Sequence, residues 1–210
     1  MLMTTRSASA LTPRKAPRQS RSQATMEVIL EAATRVLAKD SLAGFNTNRV
    51  AEVAGISIGS LYQYFPNKAA LTAALIERTQ SSLIDRVEAI TSQTASSLHA
   101  HVALLVAGGI DNQFGQSSLA AALDHEELRL QQDPVMAGLL ANARRRLIAL
   151  VMVMLAQHED ELKVPVNEST AADVLVIAKS LIEAQAAQNS QPSPDLAARV
   201  ERAVLGYLCS

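Results

Sequence analysis

From about Gln23 onward, apolar residues recur at intervals of three and four, the spacing that gives an α-helix one buried face. Met26, Ile29, Leu30, Ala33, Val36 and Leu37 make the first such stripe. Asn46 or Thr47 can cap a short second helix that buries Val50, Val53 and Ala54, and Gly55 suits the left-handed turn closing it. Ser57 caps a third helix that runs to Phe65. Pro66 ends it, because the residue before a proline is pushed out of the helical region. Asn67 opens a fourth helix through Leu71, Ala74, Leu75 and Leu83. Beyond about Thr91 every segment stays helical in pattern, with breaks near Ser92–Ser96, Gln116–Ser118, Asp133–Pro134, Lys163–Asn167 and Ser190–Pro194. The last two helices carry Val174, Leu175, Ala178, Leu181 and Ile182, then Leu196, Val200, Ala203, Val204, Tyr207 and Leu208. No run alternates with period two, so the pattern predicts an all-α fold.

Composition narrows the class. Apolar residues make up 49% of the 210, enough for a buried core. The net charge of −1 hides an asymmetry: residues 1–70 hold nine basic side chains against four acidic, and residues 71–210 hold ten against sixteen. A basic first third joined to an acidic remainder points to a polyanion-binding module attached to something else. Residues 1–22 have no hydrophobic period and carry Arg6, Arg14, Lys15, Arg18 and Arg21 without an acid. They are expected to be a disordered basic arm, either solvated or following phosphates into a minor groove. The single cysteine, Cys209, excludes a disulfide framework and a cysteine-based zinc site. Residues 1–25 lack the apolar core of a signal peptide. The most apolar run, Leu147–Ala156, is about half the length of a bilayer span, so a cytoplasmic protein is expected.

Catalytic signatures are missing: there is no phosphate-binding glycine loop, no GxSxG and no HExxH, so no enzyme is expected. His99 and His101 diverge around a helix, while His125 and His158 sit in acidic stretches. The histidines are expected at solvated helix ends, with no metal and no cofactor. Arg144, Arg145 and Arg146 spread around a helix and are expected to pair with nearby acids, or one of them to line an anion pocket.

The chemistry concentrates between residues 45 and 65. Two short helices joined by a tight turn with a glycine at the joint make a helix-turn-helix. Four of the chain's six aromatics, Phe45, Tyr62, Tyr64 and Phe65, fall within it. Leu61 and Phe65 face inward; Gly59 and Gln63 share a different face. Gly59 removes a side chain where a backbone must approach closely. Ser60, Tyr62 and Tyr64 supply hydroxyls able to donate to phosphate oxygens, although the tyrosines alone would equally suit covering a core with the hydroxyls wet.

The run NTNRVAEVAGISIGSLYQYFPNKAAL, residues 46–71, resembles the DNA-binding unit of the TetR/AcrR family of bacterial transcriptional regulators, and the upstream ILEAATRVLA fits in register. The resemblance covers residues 23–75. Ser41 and Phe45 depart from it, standing where glycine and a small polar residue are usual. It implies a helix-turn-helix DNA-binding domain at 23–75, with the motif at 46–65, and an effector-binding and dimerisation domain at 76–210. By position it implies DNA contacts from Thr47, Asn48, Ile58, Gly59, Ser60, Tyr62, Gln63, Tyr64 and Lys68. Phe45 is expected in the core.

The same resemblance implies an effector pocket among the helices spanning roughly 96–158, with Asn112, Gln113, Phe114, Met136, Met152 and Met154 as candidate linings. A methionine-rich wall suits a small lipophilic compound and equally an ordinary core. The expected partners are a double-stranded DNA operator, a small-molecule effector and a second copy of the chain, meeting through helices at about 169–188 and 194–208, with Leu181 and Val204 in the seam. The implied function is a ligand-responsive bacterial regulator, most often a repressor. The alternative is a helical ligand-binding or interaction protein whose helix-turn-helix does not read DNA.

Overall fold

The computed structural model describes residues 20–115, 123, 126–188 and 191–210, with residues 20, 21 and 41–43 described by backbone alone. The basic arm with Arg6, Arg14, Lys15 and Arg18, the expected break at 116–118, and His125 all lie outside the described residues. All regular structure among the described residues is helical. In chain order the α-helices are α1 (Ser20–Gly44), α2 (Thr47–Ala54), α3 (Ile58–Tyr64), α4 (Lys68–Thr91), α5 (Leu98–Phe114), α6 (Pro134–Ala156), α7 (Glu168–Gln188) and α8 (Leu196–Cys209). Residues 126–130 are also helical, and Glu159–Glu161 form a 3-10 turn. The first helix starts three residues earlier than the apolar stripe indicates.

The described residues divide into two compact units, those within Met1–Arg78 and Ala122–Leu140 and those within Thr79–Ala121 and Ala141–Ser210. In the first, α1 packs on α2 and α2 on α3. Ile29, Leu30, Ala33, Val36 and Leu37 of α1 are buried, as are Phe45, Val50, Ala51, Leu61, Phe65, Leu71 and Leu75. Phe45 is thus a core residue. The expected burial of Val53 is corrected: it is exposed, and Ala51 takes the inner position. Val50 and Ala51 lie next to each other on the side of α2 that α1 covers, whereas Val53, two residues on from Ala51, is turned about 200° away from it.

In the second unit α5 packs on α7 and α8, and α7 on α8. Its core joins Leu98, Val102, Leu105 and Val106 of α5 to Val151, Met154 and Leu155 of α6, Val174 and Ile182 of α7, and Val200, Val204 and Leu208 of α8. Two expectations fail here. Val204, expected in a dimer seam, is 1% exposed within this core; Leu181 is outward at 38%. Val200, Val204 and Leu208 follow four-residue spacing along the inner stripe of α8, so the periodicity that marked Val204 as apolar is spent inside the protomer. His101 and His158, expected at solvated ends, are both buried. His99 is the exposed member, 3.6 Å from Glu201.

Candidate nucleic-acid interface

The helix-turn-helix is built by its caps. Asn46, in extended conformation, accepts a hydrogen bond from the Arg49 N–H at 2.9 Å and donates from Nδ2 to the Gly44 carbonyl at 3.0 Å, tying the start of α2 to the end of α1. Gly55 sits at φ 66°, where an L side chain is strained, and its N–H and that of Ile56 close on Glu52 and Ala51 carbonyls. Ser57 then caps α3, accepting from the Ser60 N–H at 3.0 Å while the two hydroxyls meet at 2.8 Å. Asn67 caps α4 through the Ala70 N–H at 2.8 Å. Arg49 adds ion pairs to Glu52 at 2.7 Å and Asp40 at 3.6 Å. It was not singled out from sequence; its place two residues after Thr47, on the same short helix, was the available signal.

These caps fix which side chains point outward. Ile58, Gly59, Tyr62 and Gln63 of α3 are exposed, Ser60 is half-buried, and Asn48 at the start of α2 is exposed. The Thr47 and Tyr62 hydroxyls lie 3.2 Å apart, so the two helices present them as one pair. Nothing in the sequence spacing of fifteen residues shows that pairing. Lys68 is exposed at the start of α4, its Nζ 5.4 Å from the centre of the Phe45 ring. A Cβ built on Gly59 would meet only Ser57 Oγ, at 3.8 Å, so no neighbour within the protein requires a glycine there.

Tyr64 does not belong to this row. It is 8% exposed and its hydroxyl lies 3.5 Å from Ser22 Oγ of α1. Leu61, Tyr64 and Phe65 occupy positions i, i+3 and i+4, one helical face, and that face is the buried one. The hydroxyl expected on phosphate is directed to the core boundary instead.

Met136 is buried in the first unit, whereas Asn112, Gln113, Phe114 and Met152 belong to the second. Phe114 and Met152 pack against the core of the second unit, Met154 is fully buried within it, and Gln113 is buried on α5. Arg146 lies 3.8 Å from Glu88, an exposed pair, and Arg144 and Arg145 are exposed. No group of three or more metal-ligating side chains occurs among the described residues, and no helix among them is long and apolar enough to cross a membrane.

The profile described as bacterial regulatory proteins, tetR family, matches residues 29–75. Among curated proteins, the nucleoid occlusion factor SlmA of Actinobacillus pleuropneumoniae is 34% identical over 77 residues, which is 37% of this chain and 36% of that protein. The similarity therefore spans about a third of the length of that relative. Two solved structures have the same fold. A tetR-family transcriptional regulator of Mesorhizobium loti superposes with a TM-score of 0.72 at 16% identity, covering 90% of this chain and 95% of that one. A fatty acid degradation regulator of Bacillus halodurans gives 0.67 at 16%, covering 86% and 97%.

Proposed function

For a chain whose N-terminal domain belongs to the tetR family of bacterial regulatory proteins, we propose a DNA-binding transcriptional regulator that represses by holding a pseudo-palindromic operator as a dimer. The division of labour follows the expected boundaries, with residues 23–75 on DNA and 76–210 for the effector and the second copy. The observation that carries the DNA reading is the outward row on α2 and α3. Thr47, Asn48, Ile58, Ser60, Tyr62 and Gln63 share this row with Gly59, a glycine that no neighbour in the protein requires, and Lys68 is exposed at the start of α4. A glycine inside a helix costs about 0.5–1 kcal/mol relative to alanine, and a DNA backbone approaching α3 gives that cost a purpose. Thr47, Tyr62 and Lys68 contact phosphate; Gln63 and Asn48 reach base edges.

The dimer forms through the outer face of α7, where Val176 and Leu181 are exposed, together with α8. The effector is a small lipophilic molecule bound in the second unit beside Asn112, Gln113, Phe114 and Met152. It releases DNA by binding the non-operator state better, and linkage requires operator DNA to weaken effector binding by the same factor. The chemistry described here gives no enzyme role, and the protein works in the bacterial cytoplasm.

Footprinting on the region upstream of the gene tests the reading, with Gly59→Ala as the companion variant. Two symmetric half-sites about one helical turn apart are expected. Gly59→Ala should keep its circular dichroism and lose the footprint. Absence of protection by the wild type on any upstream fragment would leave a helical ligand-binding or interaction protein.

A further inference from the structure

Two local devices in the first unit fix the backbones of Phe45 and Lys68. Phe45 and Asn46 join α1 to α2. The Asn46 side chain accepts from the Arg49 N–H at 2.9 Å and donates back across Phe45 to the Gly44 carbonyl at 3.0 Å. Phe45 thus stands just before an N-cap and Val50 at the fourth position of the helix, the two places of a hydrophobic staple. Both are buried, at 2% and 0% exposure. Lys68 opens α4, directly after Asn67, whose side chain accepts from the Ala70 N–H at 2.8 Å. Its carbonyl accepts from Thr72 Oγ1 at 3.0 Å.

From these anchors the two side chains meet. The Lys68 ammonium lies over the face of the Phe45 ring, 5.4 Å from its centre. A cation within about 6 Å of a ring centre is attracted by the negative face of the ring. The partners differ in freedom. Phe45 is packed into the core, whereas Lys68 is exposed on a long stem that loses rotamer freedom whenever a ligand orders it. The ring takes up one side of the ammonium. The N–H donors on its other side are left for an oxygen that approaches from solvent.

We propose that Phe45 is a positioning residue for DNA binding: its ring face holds the Lys68 ammonium at the head of α4, ready for a phosphate. The inference rests on the reading of this domain as DNA-binding. Phe45 itself touches no DNA. It acts through a charge already present, so it alters how well that charge is placed and not how many charges meet the DNA. Weakening the ring face should therefore lower affinity for every DNA sequence alike, because phosphates are common to all. The salt slope should stay, because the number of phosphates neutralised is unchanged. The whole effect should vanish once Lys68 is gone, since two groups that act through one contact are coupled.

Phe45→Ala would open a cavity in the core, so its loss of binding would not separate positioning from folding. The test instead replaces Phe45 in the full chain with mono-, tri- and pentafluorophenylalanine. These keep the ring in its place while withdrawing electron density from its face. Each protein is titrated with a random-sequence duplex and with a duplex from the region upstream of the gene, across a range of salt, in the wild-type and Lys68→Ala backgrounds. Affinity for both duplexes should fall stepwise with fluorination, by about two- to five-fold at the end of the series, with the salt slope unchanged. Lys68→Ala should lower that slope by about one, and in its background the series should be flat. NMR of the free wild-type protein adds a readout that needs no DNA. The Lys68 ε-methylene protons should show Overhauser contacts to the Phe45 ring.

A flat series in the wild type, an equal decline in both backgrounds, or affinity that rises with fluorination would overturn the proposal and leave the DNA reading standing. Absence of the Overhauser contacts would do the same. A wild-type protein that binds neither duplex would overturn the DNA reading and the proposal together. Should the pentafluoro protein fail to fold, the mono- and trifluoro proteins carry the comparison.

Discussion

The two units use short-range and long-range information in opposite ways. In the first, the caps that build the helix-turn-helix are local. Asn46 caps through Arg49, Ser57 through Ser60 and Asn67 through Ala70, each three residues on. Outward and inward positions on α3 then follow from helical spacing alone. In the second, the polar chemistry joins residues far apart, as His101 to His158, Leu98 to Glu161 and Gln157 to Thr91. Its helices have apolar residues on several sides, and their partners decide which side is core. A motif can specify the first kind of region; only the assembled fold specifies the second.

The largest expected effect breaks this comparison at the second unit's core. Val204→Glu places a carboxylate at a 1% exposed position among Val174, Val200 and Leu208, with no partner. An unpaired buried charge costs several kcal/mol, so the variant should lose its cooperative unfolding transition by circular dichroism. Leu181→Glu, at an exposed site, should keep the fold and convert the proposed dimer to monomer in light scattering. A folded Val204→Glu protein would mean that the core is looser than its burial indicates.

Legibility differed residue by residue for the same reason. The order of helices, the caps at Ser57 and Asn67, the left-handed Gly55 and the core role of Phe45 were all readable, because each depends on a few neighbours. Tyr64 is buried for a local reason, since its i+3 relation to Leu61 puts it on the inner face of α3, which the phosphate-donating chemistry of its hydroxyl does not convey. Val53 and Val204 were misassigned because an apolar residue on a helix does not say which neighbour covers it. His101 and His158 were unreadable as a pair, since their acidic and polar surroundings in sequence suggest solvent, and burial comes from α4, α5 and the turn after α6 closing together.

The next effect concerns discrimination at the reading face. Gln63→Ala removes an exposed amide from α3, and a bidentate base contact of this type is worth about 1–3 kcal/mol of specificity. Operator affinity should fall while affinity for random DNA holds, measured by paired titrations at one salt concentration. Lys68→Ala should do the opposite, weakening both DNAs alike and lowering the salt slope by about one. If Gln63→Ala leaves discrimination intact, the reading face is elsewhere on α2 and α3, or specificity resides in DNA shape.

A smaller effect isolates the turn between α2 and α3. Gly55 has open space around it, so Gly55→Ala meets no steric obstacle and pays only for a left-handed backbone. That conformation costs an L residue about 1 kcal/mol, read as a lower urea midpoint with unchanged slope. Gly55→Asn should lose less, because asparagine tolerates the left-handed region better.

The smallest effect compares two tyrosines two residues apart, each losing one oxygen. Tyr62→Phe removes a hydroxyl that is exposed and paired with Thr47 at 3.2 Å. Stability should change by no more than about 0.5 kcal/mol, as for an ordinary surface substitution. DNA affinity should fall by a similar factor for operator and random sequence, since a phosphate contact carries no base information. Tyr64→Phe removes a hydroxyl at the core boundary, 3.5 Å from Ser22, a distance at the limit of hydrogen bonding. Its ring stays buried, so folding should be nearly unchanged and DNA affinity untouched. The contrast is informative because chemistry, chain position and helix are matched and only the face differs. If Tyr64→Phe weakened DNA binding as much as Tyr62→Phe, the buried face of α3 would have to open on the operator, and the separation of reading face from core face described for this helix would not hold in the complex.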